Sequence, residues 1–112
     1  MNNPNASDFQ SELATAVKGD TLFDEVSKLL YSTDASLYQI KPCGVAAPRD
    51  REDVINAVKI AARHQVPLIG RGGGTSLAGQ TITTGLVLDL SKYMNEVLEV
   101  NEEEHWARVQ PG

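Results

Sequence analysis

The sequence predicts an α+β fold with α/β character, a small parallel or mixed sheet flanked by helices. Three observations carry this. Apolar residues recur at helical spacing in two stretches, Phe9, Leu13, Ala16 and Val17 early in the chain and Val54, Ile55, Val58, Ala61 and Ala62 later. Short apolar runs bounded by Gly or Pro, such as Val45-Ala46-Ala47-Pro48 and Gly85-Leu86-Val87-Leu88-Asp89-Leu90, have the length of buried strands. The later helical stretch lies between two such runs, and strand–helix–strand units set parallel strands in one sheet through a right-handed crossover.

Taken in order, Met1-Asn2-Asn3-Pro4-Asn5 is polar and reads as a frayed end. A helix follows from about Ser7 to Lys18, with Ser7 able to cap its start and Gly19 suited to its exit. A second amphipathic segment carries Leu22, Phe23, Val26, Leu29 and Leu30 on one side, and Tyr31 to Pro42 is rich in turn formers. Val45-Ala46-Ala47 is the first buried strand. The crossover helix starts at Arg49 or Asp50 and runs to about His64, with Arg51, Glu52, Asp53, Lys59 and Arg63 facing outward. Pro67-Leu68-Ile69 and Gly85 to Leu90 give the next strands. Val97-Leu98-Glu99-Val100 and Trp106-Ala107-Arg108-Val109 give two more, joined by an acidic turn at Glu102-Glu103-Glu104. The chain therefore divides into a helical segment, 1–43, and a sheet-forming part, 44–112. Ending on Pro111-Gly112, turn punctuation in mid-fold, it reads as part of a longer protein.

Composition narrows the class. With 112 residues, 41% hydrophobic and 22% charged, the chain is an ordinary globular domain or part of one. A net charge of −5 without clustered Lys or Arg argues against a nucleic-acid partner. Cys43 is the single cysteine, so no internal disulfide forms and a passive thiol is expected. No stretch approaches the ~20 apolar residues of a transmembrane segment. No secretory signal opens the sequence, and the cytoplasm is the default location.

The segment Arg71-Gly72-Gly73-Gly74-Thr75-Ser76-Leu77-Ala78-Gly79-Gln80 carries the chemistry. Three successive glycines bury no side chain and weaken regular structure, so their use lies in backbone freedom and close approach. Consecutive amides can converge on one point and form a nest for an anion. Thr75 and Ser76 add hydroxyls and could cap a short helix whose N-terminus favours negative charge, and Gly79 permits a second close approach. The rival reading, a bare turn between strand and helix, needs only about one or two glycines.

Two standard phosphate motifs fail on this segment. A dinucleotide fingerprint, G-x-G-x-x-G, begun at Gly72 meets Leu77 at its third glycine. A P-loop, G-x-x-x-x-G-K-[ST], fits Gly74, Gly79 and Thr81 but has Gln80 where the lysine should meet the β- and γ-phosphates.

A third comparison fits. Asp34-Ala35-Ser36, Val45-Ala46-Ala47-Pro48-Arg49, Val66-Pro67-Leu68 and Arg71 through Gln80 together resemble FAD-linked oxidases of the vanillyl-alcohol-oxidase type, with the PCMH-type FAD-binding domain. The resemblance runs from about Leu22 to Gly112 and is nearest the branch of glycolate oxidase flavin subunits, D-lactate dehydrogenases and D-2-hydroxyglutarate dehydrogenases. Tyr31-Ser32-Thr33-Asp34-Ala35-Ser36 with Ser91-Lys92-Tyr93-Met94-Asn95 looks most like the long members that add a C-terminal iron–sulfur region.

The resemblance implies that residues 44–112 form the first subdomain of that FAD-binding domain. Backbone amides of Gly72, Gly73, Gly74, Thr75 and Ser76 would hold the FAD pyrophosphate, with the two hydroxyls adding hydrogen bonds. Gly79 would let the backbone pass close to the cofactor, Arg71 would offset phosphate charge or else form a surface salt bridge, and Gln80 is placed by proximity. Thr75 stands where some relatives attach FAD through a His, so noncovalent binding is implied. The parent enzyme would oxidise a small 2-hydroxy acid of the D-lactate, glycolate or 2-hydroxyglutarate kind, with an iron–sulfur cluster further along the chain as one route for the electrons. The segment alone would be inactive, because the residues around the flavin ring lie in later segments.

Two other readings stand beside this one: a nucleotide-phosphate binder with a degraded P-loop, and a folding or interaction module without catalysis. No catalytic or metal-binding residue is assigned. His64 is expected to interact with the last carbonyls of its helix, His105 to be solvated, Trp106 to pack one strand on its neighbour, and Asp89 to cap the turn after its strand.

Overall fold

A computed structural model describes residues 6–112; the expected frayed end, Met1 to Asn5, lies outside them. Nine elements follow in order: α1 (Ala6–Ala16), β1 (Asp20–Leu22), α2 (Glu25–Leu30), β2 (Gly44–Ala47), α3 (Arg51–Arg63), β3 (Leu68–Arg71), β4 (Leu86–Asp89), β5 (Val97–Asn101) and β6 (Trp106–Val109). The first four strands form one mixed sheet in the order β1-β2-β4-β3, and β5 and β6 form a separate antiparallel hairpin. β2 and β3 both run parallel to β4, which enters between them after α3 has crossed over, while β1 pairs antiparallel at the β2 edge. The α+β architecture with a small mixed sheet is the expected one. Residues on both sides of the 43/44 division share this sheet.

The core lies where α1 and α3 cover one face of the sheet. Phe9, Leu13 and Val17 meet Ala57, Ile60 and Ala61, above Ala46 of β2 and Leu86 and Leu88 of β4. The alternate residues Val45 and Val87 are also fully buried, and α2 packs on β2. Central parallel strands covered on both faces read as continuous apolar runs, which is why β2 and β4 were legible without alternation.

Helix α3 is turned from its expected orientation. Ile55 and Val58, assigned to the apolar stripe, are 43% and 46% exposed, whereas Asp53, assigned outward, is 0% exposed. The reason is hydrogen bonding. The Asp53 carboxylate accepts the backbone N–H groups of Lys18 at 2.9 Å, Gly19 at 3.0 Å and Arg49 at 3.0 Å. Three amides that leave regular structure at the end of α1 and before α3 need an acceptor, and one carboxylate supplies it. Asp50 caps the same helix, accepting from the Asp53 N–H at 2.9 Å.

Three further differences have physical causes. The expected second helix is shortened because Asp20–Leu22 joins the sheet edge as β1; α2 begins only after Asp24, whose side chain accepts from the Ser27 N–H at 2.9 Å. Its apolar residues Val26, Leu29 and Leu30 are 68%, 59% and 68% exposed instead of forming a buried stripe. Ser7 does not cap α1, since the helix already includes Ala6. The strand runs of β5 and β6 are as expected, but Val97, Val100 and Val109 are exposed and Trp106 is only partly covered, its indole N–H donating to Glu104 at 3.1 Å.

Polar contacts tie distant segments. His64, expected to address its own helix end, instead places Nε2 2.7 Å from Glu12 of α1 and its ring against Phe9. Arg63 also pairs with Glu12, Lys18 with Asp50, and Lys92 and Tyr93 with Asp20.

Two predictions follow from these contacts. Asp53→Ala leaves three inward amides without their acceptor and should cost about 3 kcal/mol or more, read as a lowered denaturant midpoint. Hydrogen bonds from His64 to Glu12, from Lys92 to Asp20 and from Lys18 to Asp50 hold these carboxyls below their ordinary values of 4.5 for the glutamate and 3.8 for the aspartates. Folded values below unfolded ones mean that this stabilisation is complete above the ordinary values and declines as pH falls through the lowered ones. The melting temperature should therefore fall in that acid window, and Glu12→Gln should shrink the fall.

Candidate functional site: the glycine loop

After β3 the chain bends repeatedly from Gly72 to Gly79, turns at Gln80 and Thr81, and forms no helix before β4. The short helix that Thr75 and Ser76 were expected to cap is absent. Ser76 instead organises the turn itself: its Oγ accepts the N–H of Ala78 at 3.3 Å and of Gln80 at 3.2 Å, and donates to the Gln80 side-chain oxygen at 3.3 Å. Without a helix behind the glycines, the helix N-terminus used by both the P-loop and the dinucleotide fingerprint is missing.

Gly74 and Gly79 take left-handed backbone, with φ of +68° and +72°. At Gly74 a Cβ would also lie 2.5 Å from Nη2 of Arg71, which occupies the space beneath the loop. Gly72 is different. A Cβ there would meet nothing within 4 Å, and at Gly73 only the Thr75 methyl at 3.5 Å. The fold itself does not require glycine at 72 and 73. Open space over a bare backbone is what a closely approaching ligand would use.

Arg71 forms no ion pair among the described residues, so the surface salt bridge weighed for it does not occur. Its guanidinium carbon stands 5.2 Å from the Tyr31 ring centroid, and its Nη1 is buried without a hydrogen-bond partner. Tyr31 is fixed in turn by donating its hydroxyl to Asp89. Burial first, and then that hydrogen bond, push the Tyr31 hydroxyl up to about 12, so it remains a donor at neutral pH. Asp89 also caps the turn after β4, as expected, accepting the Ser91 N–H at 2.9 Å and its hydroxyl at 2.6 Å.

The segment Tyr31 to Tyr38 braces the loop, a role that the residues alone did not announce. The Ala35 N–H donates to the Gly74 carbonyl at 3.0 Å. Asp34 accepts the Ser36 N–H at 2.8 Å and the Thr81 hydroxyl at 3.1 Å, and hydrogen bonds from Ser36 and Thr81 hold its carboxyl below the ordinary value. The Tyr38 ring lies beside Gly79, 3.0 Å from where a Cβ would stand. The only sequence signal was the clustering of Ser, Thr and Asp in a turn.

Elsewhere, Cys43 is partly buried and its thiol is raised by burial, consistent with a passive side chain. His105 is exposed with φ of +57° in the acidic turn. No helix is long and apolar enough to cross a membrane, and no cluster of metal-ligating residues occurs, among the described residues.

The mixed sheet thus delivers a glycine-rich, helix-free loop onto a supporting turn, with the Arg71 guanidinium below it forming no ion pair among the described residues. The chain belongs to the FAD binding domain family, whose profile matches residues 42–112. It is 41% identical over 98 residues to a D-2-hydroxyglutarate dehydrogenase of Pseudomonas putida, covering 85% of this chain and 10% of that protein. It is 45% identical over 101 residues to the glycolate oxidase subunit GlcD of Bacillus subtilis, covering 86% of this chain and 21% of that one. The chain thus spans about a tenth to a fifth of these relatives' length. Among solved structures, 4-ethylphenol oxidase from Gulosibacter chungangensis superimposes with a TM-score of 0.79 at 28% identity over 98% of this chain and 23% of that one. p-Cresol methylhydroxylase shares the fold with a TM-score of 0.76 at 17% identity, over 98% of this chain and 23% of that one.

The two kinds of glycine should separate by stability. Gly74→Ala forces a side chain into left-handed backbone and onto Arg71, and should cost about 1–2 kcal/mol or more. Gly72→Ala should leave the thermal midpoint close to that of the unaltered protein.

Proposed function

We propose that the loop holds the pyrophosphate of FAD noncovalently and that the protein carrying it is an FAD-dependent dehydrogenase or oxidase of a small 2-hydroxy acid. The observation that carries the first part is the open, unencumbered backbone at Gly72 and Gly73 above a buried Arg71 nitrogen that has no partner. A diphosphate needs several N–H donors and a compensating charge in a small space, and this arrangement offers both. Arg71 supplies the charge from below. Backbone amides of Gly72 through Ser76 supply the donors, and Thr75 adds an exposed hydroxyl. Ser76 and Gln80 shape the far turn and contribute mainly through it, since their side chains bond to each other. Gly79 keeps the backbone low beside Tyr38.

Noncovalent attachment is supported by Thr75, whose hydroxyl is a far weaker nucleophile than the imidazole that some relatives place there. FAD, when bound, supplies the redox chemistry by accepting a hydride equivalent from the substrate. This chain's own residues bind and orient, and none of them is assigned a catalytic role. The 2-hydroxy-acid substrate rests on the names of the relatives, a D-2-hydroxyglutarate dehydrogenase and a glycolate oxidase subunit.

The test is cofactor uptake. The protein expressed at its natural length should purify yellow, or take up FAD on reconstitution, and release it intact on acid precipitation. Gly72→Val should weaken FAD binding by about tenfold or more while the apoprotein melts close to the unaltered protein, because a Cβ at this position meets nothing of the protein within 4 Å. A colourless protein that takes up no FAD would refute the proposal.

A further inference from the structure

Glycines supply no side chains with which to hold a shape, so a cradle built from them must be fixed from outside. Two contacts do this, one at each end of the loop, and both come from one short turn. At the near end, the Ala35 N–H grips the Gly74 carbonyl at 3.0 Å. That carbonyl and the Thr75 N–H belong to the same peptide, and no described peptide is cis. In a trans peptide the C=O and N–H point in opposite directions. Drawing the Gly74 carbonyl onto the supporting turn therefore turns the Thr75 N–H away from it, toward the open side of the loop. At the far end, Asp34 Oδ2 accepts the Thr81 hydroxyl at 3.1 Å. The other oxygen, Oδ1, accepts the Ser36 N–H at 2.8 Å, closing the turn that aims the Ala35 amide. One carboxylate thus controls both grips.

Building on the FAD reading above, we propose that Asp34 is a positioning residue for the cofactor's pyrophosphate: it never touches the cofactor, and it sets the direction of the Thr75 amide through Ala35 and Gly74 while clamping the loop's exit through Thr81. A carboxylate beside a diphosphate would otherwise be a poor choice, since like charges repel. Here each carboxylate oxygen accepts a bond from the protein, Oδ1 from Ser36 and Oδ2 from Thr81, which ties the group to the loop's support.

The experiment compares Asp34→Ala, Asp34→Asn and Thr81→Val in the natural-length protein, reading FAD affinity by flavin fluorescence and the pyrophosphate ³¹P resonances at saturating FAD. Asp34→Ala removes the far grip and the Ser36 contact that aims the near one, and should weaken FAD binding by about tenfold or more and shift the ³¹P resonances. Asp34→Asn keeps a carbonyl oxygen for Ser36 and an amide that can donate to Thr81, and should restore affinity to within about threefold. Thr81→Val loses only the far grip, should be intermediate, and carries the test if Asp34→Ala does not fold. Altered ³¹P resonances with rescue by Asp34→Asn would mark positioning rather than general stability. Unchanged affinity and resonances in both Asp34→Ala and Thr81→Val would overturn the inference while leaving the FAD reading intact. Failure of the unaltered protein to bind FAD would overturn both.

Discussion

Asp53 gathers the amides of Lys18, Gly19 and Arg49 onto one buried carboxylate, and much of the geometry depends on that convergence. Lys18 and Gly19 lead from α1 into β1, and Arg49 joins β2 to α3. Holding them at one point sets where the antiparallel edge strand begins relative to the parallel strands. It also fixes the rotation of α3, which brings Ala57, Ile60 and Ala61 onto the sheet. A buried charge is costly unless its lone pairs are met by donors. Here the donors are backbone amides that would themselves be orphaned without it, so each side of the interaction cancels the other's desolvation.

The same logic recurs at the loop with the opposite purpose. On the proposed function, amides that are to receive an anion have to stay unpaired, and a backbone with free donors does not hold itself in place. Up to Ser76 the loop is accordingly fixed by a carbonyl, Gly74 on Ala35, and only beyond it do amides pair, those of Ala78 and Gln80 on Ser76, with Thr81 on Asp34 and Gly79 against Tyr38. Arg71 completes the pattern. The Tyr31–Asp89 pair and the close fit under Gly74 confine its guanidinium, and its Nη1 is buried without a partner.

The sequence made the strands and the long helices readable because their signals are local. A buried parallel strand is a short apolar run, and a helix caps with residues such as Asp50 and Asp24. What it obscured was relational. Asp53 looks like an outward acidic residue until Lys18 and Gly19, more than thirty positions earlier, are brought beside it. Leu22 looks helical until β2 offers it an edge. The glycine loop stood out from its composition, but the turn at Asp34 that supports it did not, because nothing in a Ser-Thr-Asp cluster says which carbonyl it will hold. The missing helix after Thr75 has the same origin: Ser76 has the chemistry of a helix cap, and its hydroxyl serves a tight turn instead.

The comparisons separate what this segment specifies from what it leaves to the rest of a protein. Relatives at 41% and 45% identity are named for 2-hydroxyglutarate and glycolate, yet a structure at 28% identity that superimposes with a TM-score of 0.79 is named for a phenol. The relatives differ in the molecule oxidised while this piece of fold stays the same. Its buried strands, the Asp53 junction and the braced loop contain no group that could distinguish a hydroxy acid from a phenol. On the proposed function, a loop that grips a diphosphate handle has no need to, because the handle does not change with the substrate. On the proposed reading, residues 71–81 and the turn at 31–38 serve the cofactor's diphosphate, and substrate choice is written in segments that meet the other end of the cofactor.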